Sequence, residues 1–500
     1  MTTQEYVKKY QDWEFKLSAY ALALSTIGFD SRTIAPSKGN TYRNKRNAFL
    51  VGEYFSTLND PEILDVMKTI VTLDDVDTLT KKTVELRLVD IEKINCIPKD
   101  EFVTYDELAA ESFDAWYEAK HENNYAKFEP FLQKTIETKI KFLKYRNSDK
   151  PLYDLALDDY ELGMTMEEYE TFFSLIKEKL VPLIHEIQNK QDEVDTSFFN
   201  QNFSIDKQKE FMKQMMDYIG FDKEWGYLSE SEHPFTSMFS LNDVRITTRY
   251  IEDNLISSIF SIIHEIGHAT YAHQVNEDFE GSYLADNMTS GMHESQSRLF
   301  ENYLGRSNAF WDTNYPILQN LFKDQLKDVT QEMFVRAINA SCPSLIRTEA
   351  DELTYPIHIY IRYEMEKAIM SGKMTLDELN KKWDALYLEN LGIQSPTDTD
   401  GILQDVHWSD GSFGYFPTYA LGSAYAAQFY QAMKKEIDVD QCLKDNNFKA
   451  INNWLKENIH QYGGSLSPKE IMIKATGEPF NPNYYIEYLT NKYKTLYNIK

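Results

Sequence analysis

The sequence predicts a mainly α-helical protein that carries one small β-sheet of two or three short strands. Three observations predict it. The 500 residues include only 19 Gly and 15 Pro, too few turn-formers for a chain of many hairpins. A small hydroxyl residue followed three positions later by Glu recurs, a pattern in which the hydroxyl caps free N–H groups of a first helical turn while the carboxylate reaches back. Long stretches then repeat apolar side chains at spacings of three and four, the period of a helix buried on one face. Apolar residues make up 42% and aromatics 14%, enough for a large core, which excludes a disordered chain. A chain this long is expected to form two or three lobes.

In chain order, helix starts are expected at Thr104-x-x-Glu107, Thr165-x-x-Glu168, Thr375-x-x-Glu378 and Ser467-Pro-x-Glu470. The last has Pro at the first helical position, where a missing N–H costs nothing. From Met166 to Lys190 the helical period is sustained. One region reads as strand: His233 to Ile251 is rich in Thr, Phe, Val and Ile, with partial alternation around Arg245-Ile246-Thr247. A helix with few interruptions begins after Glu252, so the strands stand just ahead of the chemistry.

Charge and cysteine content mainly exclude. With 79 acidic and 52 basic residues the net charge is −27. Nucleic acid and anionic membranes attract cationic surfaces, so neither is expected as a partner. Cys96, Cys342 and Cys442 are odd in number, far apart and without a CxxC pair, so neither a disulfide framework nor a thiolate metal site is expected. Reduced, mostly buried thiols of a cytoplasmic protein fit. Asp12 and Glu14 precede the first apolar stretch, where a secretion signal would place no acids, and no eighteen apolar residues run together.

The chemistry centres on Ser261-Ile-Ile-His264-Glu265-Ile-Gly-His268-Ala-Thr270. Histidines at i and i+4 lie one turn apart on one helical face, so both imidazoles can converge on a zinc ion. Zinc acidifies water and polarises a carbonyl, and Glu265 is placed to take the proton and pass it to a leaving amine: metal-assisted amide hydrolysis. The similar start His185-Glu186 has Asn189 at the fifth position and lacks the second imidazole, so His185 reads as a core-edge residue. Positions 233, 264, 268, 273 and 293 hold five of the ten histidines within 61 residues.

A catalytic zinc needs a third protein ligand. The HExxHxxGxxH solution fails, because Tyr271 and Gln274 occupy the positions of its Gly and His. His273 falls on another part of the helix and reads as structural or solvent-facing. A Glu from a following helix remains, with Glu277, Glu280, Glu294 and Glu301 as candidates. The first two sit in a turn. Glu294 opens a new helical run, a more rigid support, and is the expected ligand.

Around this motif the sequence resembles the thermostable carboxypeptidase Taq family of zinc metallopeptidases. The family's marks stand in order: His233-Pro-Phe235, Asp243-Val-Arg245-Ile-Thr247, His264-Glu265-x-x-His268, His293-Glu294-Ser-Gln296, Ile346-Arg347-Thr-Glu-Ala350-Asp351 and Gly401-Ile-Leu-Gln404-Asp405-Val-His407-Trp408. The stretch after His268 departs from the family pattern, which bears on substrate preference. The resemblance implies a two-lobed helical body with a deep central groove, similar to angiotensin-converting enzyme and neurolysin, with residues 1–500 as one peptidase unit. It also implies release of C-terminal amino acids from peptides, zinc (or cobalt) held by His264, His268 and Glu294, Glu265 as general base, and a homodimer.

A carboxypeptidase must also grip a free carboxylate, which a guanidinium does in two-pronged fashion. Arg347 is the first candidate and Arg245 the second. Donors for the charge that develops on the carbonyl oxygen are expected after residue 406: Tyr415, assisted by His407, with Tyr419 in reserve. His233 and His293 are expected to line the groove or orient Glu294, with a structural use as the alternative. The competing readings are a helical zinc oligopeptidase or dipeptidyl carboxypeptidase, and a catalytically inactive peptide-binding protein.

Overall fold

A computed structural model describes residues 1–372 and 375–500. Among the described residues it forms twenty-two α-helices and one three-stranded sheet, the mainly helical fold that the sequence predicts. Helix begins almost at once. Helix α1 (Thr3–Thr33) is closed by a capping box between Thr2 and Glu5, and α2 (Asn40–Leu58), α3 (Pro61–Ile70) and α4 (Thr78–Asn95) follow. Asp60 and Asp77 cap α3 and α4 with side-chain oxygens. The apolar faces of α1, α3 and α4 meet in a core of their own, around Trp13, Leu17, Met67, Ile70, Val84 and Ile91.

Helix α5 (Lys99–Glu122) starts earlier than the Thr104 signature suggested. Pro98 opens it, and Thr104 lies inside, its hydroxyl donating to the Asp100 carbonyl one turn back (2.9 Å). That local acceptor competes with the capping role. At α6 (Met166–Gln188) the expectation holds, with the capping box of Thr165 and Glu168 formed. This helix buries Phe172, Phe173, Ile176 and Leu180 in the main core, which runs from Ala119 to Tyr497. His185 is half-buried at its edge.

The sheet has the order β1-β3-β2, from β1 (Gly226–Glu230), β2 (Thr236–Ser240) and β3 (Asp243–Thr248). β1 runs parallel to β3 and β2 antiparallel to it. The strand-like stretch holds β2 and β3, whereas β1 lies before it. The residues of β1 carry little β-branched character, and its pairing with Val244 to Thr248 of β3 supplies what local preference lacks.

After the sheet come α7 (Leu255–His273), capped by Asn254, and α8 (Ser290–Arg298), capped by Thr289 and continued by a π-turn at Leu299–Leu304. Helix α9 (Tyr355–Met370) precedes α10 (Leu379–Leu391). The expected start at Thr375 is a short 3-10 turn, Leu376–Glu378, leading into α10 without a side-chain cap. Helix α11 (Pro417–Glu436) is almost wholly buried, and α12 (Pro468–Thr476) opens with the Ser467–Glu470 capping box and Pro468 as expected. The cysteines correct the sequence reading: Cys342 is exposed, and Cys96 and Cys442 are half-buried. Cys96 ends α4 rather than facing its core. Among the described residues no helix is long and apolar enough to cross a membrane.

Candidate active site

Helix α7 runs through the main core, burying Ile259, Ile262, Ile263 and Ile266, so only a narrow face is left for His264 and His268. Two glycines bring the third group to them. A Cβ on Gly267 of α7 would lie 2.7 Å from both the Gln296 carbonyl oxygen and the Ser297 Cα of α8. One on Gly422 of α11 would lie 2.6 Å from the Glu294 Cβ. Only glycine permits so close an approach, and Glu294 is thereby fixed between α7 and α11.

The outcome is a three-sided group of donors that could hold a cation. His264 Nε2 and His268 Nε2 each lie 3.6 Å from the same oxygen of Glu294, Oε2. No two of the three ligand atoms are more than 4.8 Å apart. Bonds of about 2.0–2.1 Å at tetrahedral angles would separate ligand atoms by about 3.3–3.4 Å, so the set fits a tetrahedral divalent cation with little adjustment.

Each imidazole is held from behind. The His264 Nδ1–H donates to Glu301 Oε2 at 2.9 Å, which leaves Nε2 free for a cation. His268 Nδ1 lies 3.2 Å from Nδ1 of His293. Burial pushes the His293 imidazole down to about 3, so its ring is neutral. Arg298 donates to Glu294 Oε1 at 2.7 Å and to Glu301 Oε2 at 3.1 Å. Burial alone would raise both carboxyls. Arg298 and the histidines outweigh it, holding Glu294 well below the usual carboxylate range and bringing Glu301 down to about 2. Glu265 is 6% exposed, and its Oε2 accepts from the Thr236 hydroxyl at 2.5 Å.

A second cluster gathers Arg347, Tyr355, His407, Tyr415 and Tyr419. Arg347 is 7% exposed, with Nε and Nη2 both donating to Asp405 Oδ1 (2.9 and 2.8 Å). Its Nη1 points to the Tyr355 hydroxyl at 3.4 Å, and its guanidinium sits 5.0 Å from the Tyr419 ring. The partner is thus Asp405, 58 positions away, rather than the nearby Asp351, which caps Thr354. The Tyr355 ring also carries the Arg298 guanidinium, 4.4 Å from its centre, which joins this cluster to Glu294. Tyr415 packs edge-on against Tyr419 (5.2 Å), and His407 Nε2 lies 3.5 Å from the Tyr419 hydroxyl. Burial raises both phenols and pushes the His407 imidazole down to about 4.

Two further sequence candidates make other contacts. Arg245 is clasped by Asp243 through both oxygens (2.8 and 2.7 Å) and packs on Phe239. His233 is exposed in the turn before β2. His273 is structural, donating to the Leu241 carbonyl (2.7 Å) and stacked flat on Trp225. Sequence reasoning weighed Glu301 only as a ligand and overlooked Thr236, Tyr355 and the Arg347–Asp405 pairing. The spacing Glu294, Arg298, Glu301 places all three on one helical face and was the available signal for Glu301. For Thr236 no local signal exists.

Helices that bring two histidines and a glutamate together, with a further carboxylate next to the first histidine, are a device that metal-dependent peptide hydrolases use. Known proteins narrow the class. Residues 9–493 match the family Carboxypeptidase Taq (M32) metallopeptidase. The chain is 40% identical to carboxypeptidase 1 of Bacillus subtilis, over 99% of this chain and 100% of that one. It is 34% identical to thermostable carboxypeptidase 1 of Thermus thermophilus, over 96% and 97%. The solved M32 carboxypeptidase of Deinococcus radiodurans superposes with a TM-score of 0.96 at 31% identity, covering 99% of this chain and 100% of that one. The chain belongs to the M32 family, and its activity is that of a metallocarboxypeptidase.

Proposed function

We propose that the enzyme is a zinc-dependent carboxypeptidase, with cobalt as a working substitute, that removes amino acids singly from the free C-terminus of peptides. The observation that carries this reading is the approach of both Nε2 atoms to one Glu294 oxygen beside the buried Glu265. His264, His268 and Glu294 would hold a divalent cation, which when bound would supply Lewis acidity towards a peptide carbonyl and water. Glu265 takes the proton that water gives up and hands it to the departing amine as the C–N bond breaks, so its carboxylate ends the cycle as it began.

Tyr415, with His407 beside it and Tyr419 in reserve, donates to the negative charge that grows on the carbonyl oxygen. Arg347 receives the terminal carboxylate through Nη1, in company with Tyr355, while Asp405 keeps its other nitrogens fixed. Arg245 is the second candidate for that grip, and His233 lines the approach. Residues 1–500 work as one unit, two lobes around a groove, paired as a cytoplasmic homodimer; the support for this is the family resemblance.

Mass spectrometry of an unblocked peptide tests the reading. A ladder of single-residue losses, stopped by a chelator, restored by zinc and absent from the C-terminally amidated peptide, is the expected result. Loss of dipeptides would replace it with a dipeptidyl carboxypeptidase, and an untouched peptide with a binding protein.

A further inference from the structure

Strand β2 touches two parts of the molecule that are far apart in sequence. On one face, the Thr236 hydroxyl donates to Glu265 Oε2 at 2.5 Å and lies 3.3 Å from the Glu265 carbonyl. On the other, Phe235, just before the strand, and Phe239 close on Phe29 near the C-terminal end of α1, with ring centres 5.7 and 5.9 Å apart, both edge to face. Arg32 covers Phe235 (3.9 Å) and Arg245 covers Phe239 (4.2 Å). The alternation of a strand produces this division, since successive side chains point to opposite faces. β2 is an edge strand, paired with β3 alone, and its register breaks between Met238 and Ser240. β2 also packs on α7, and the Phe235 N–H donates to Thr247 Oγ1 (2.9 Å); the aromatic contact with α1 adds a hold from the other face.

We propose that Thr236 is the positioning residue of the general base: its hydroxyl fixes the orientation of Glu265, and Phe29, by gripping Phe235 and Phe239, fixes Thr236. The proposal rests on the reading of Glu265 as the base. A hydrogen bond to one carboxylate oxygen leaves a single orientation for the other, which must face the water. Losing the hydroxyl frees the side chain to turn. The cation ligands are held by α7 and α8, and the Arg347 cluster by Asp405, so neither depends on Thr236. The loss should therefore appear in kcat and spare both KM and zinc content.

Kinetics and zinc analysis of Thr236→Val, Thr236→Ser, Phe29→Ala and the double variant test this. Thr236→Val should lower kcat about 10–100-fold, the usual range for such supporting contacts, with KM and bound zinc unchanged. Thr236→Ser should recover most of the rate. Phe29→Ala should lower kcat less, and add little in the Thr236→Val background because both act through one contact. Thr236→Ala replaces the valine variant if that protein does not fold. A valine variant at full rate, a serine variant no better than valine, or a loss shared with KM or zinc would overturn the proposal. A fully additive Phe29 effect would remove α1 from it. A Glu265→Gln enzyme that keeps its activity strikes the reading of the base itself, whereas a dead Glu265→Gln beside an unimpaired Thr236→Val strikes only the role of Thr236.

Discussion

His264 and His268 are alike in chemistry and unlike in their neighbours. The first leans on a carboxylate, Glu301, and the second on the imidazole of His293. Glu301→Gln leaves an acceptor for His264 but deletes a negative charge that Arg298 and Arg306 share, so the surroundings of the three ligands become more positive. Zinc affinity should fall about 10–100-fold, read by competition with a chromogenic chelator. Glu265→Gln should behave differently, lowering kcat about 10²–10⁴-fold while bound zinc stays stoichiometric. At this scale the sequence was informative wherever one helix carries the relation. The four-residue step from His264 to His268 needs no tertiary knowledge, and Glu294 follows from asking which acid stands on a rigid element. Arg347 with Asp405, and Thr236 with Glu265, are joined only by the folded chain.

Helices α7 and α8 approach until backbone meets backbone at Gly267. The atoms a new Cβ would strike are a carbonyl oxygen and a Cα, neither of which can swing aside as a flexible side chain would. Gly267→Ala should therefore part the helices, costing about 1–3 kcal/mol of stability and releasing zinc, as thermal denaturation and metal analysis would report. Elements with their own signals were legible: α6 and α12 begin at the expected capping boxes, and the stretch around Arg245 forms strand. β1 was not, because its residues are made strand by their neighbour rather than by preference. At α5 the hydroxyl of Thr104 found an acceptor within the helix, so a capping pattern occurred without a cap.

Across the whole molecule, buried acids away from the cation site contribute to how stability follows pH. Glu366 of α9 accepts from the Trp408 indole (2.9 Å), the Gly414 N–H (2.8 Å) and the Tyr153 hydroxyl (2.8 Å), pinning the segment that leads to Tyr415. Burial outweighs these bonds and the charge of Arg362, and pushes its carboxyl from 4.5 up to about 7. The folded protein thus holds this proton more tightly than the unfolded chain. The resulting stability is fully present below about pH 4.5 and is lost as pH rises towards 7. Buried histidines such as His293 and His407 act in the opposite sense, so the test is a difference: the Tm of Glu366→Gln, which stays neutral throughout, should gain on that of the parent as pH rises from about 4.5 to 7. The first four helices pose another question of scale, since α1, α3 and α4 keep an apolar core apart from the main one, and α2 buries little beyond Thr57. Such a block can come loose while the rest stays intact, at a free energy below that of global unfolding. Its backbone amides should take up deuterium sooner than those of α11, and each such excursion would briefly slacken the proton carrier without disturbing the bound ion.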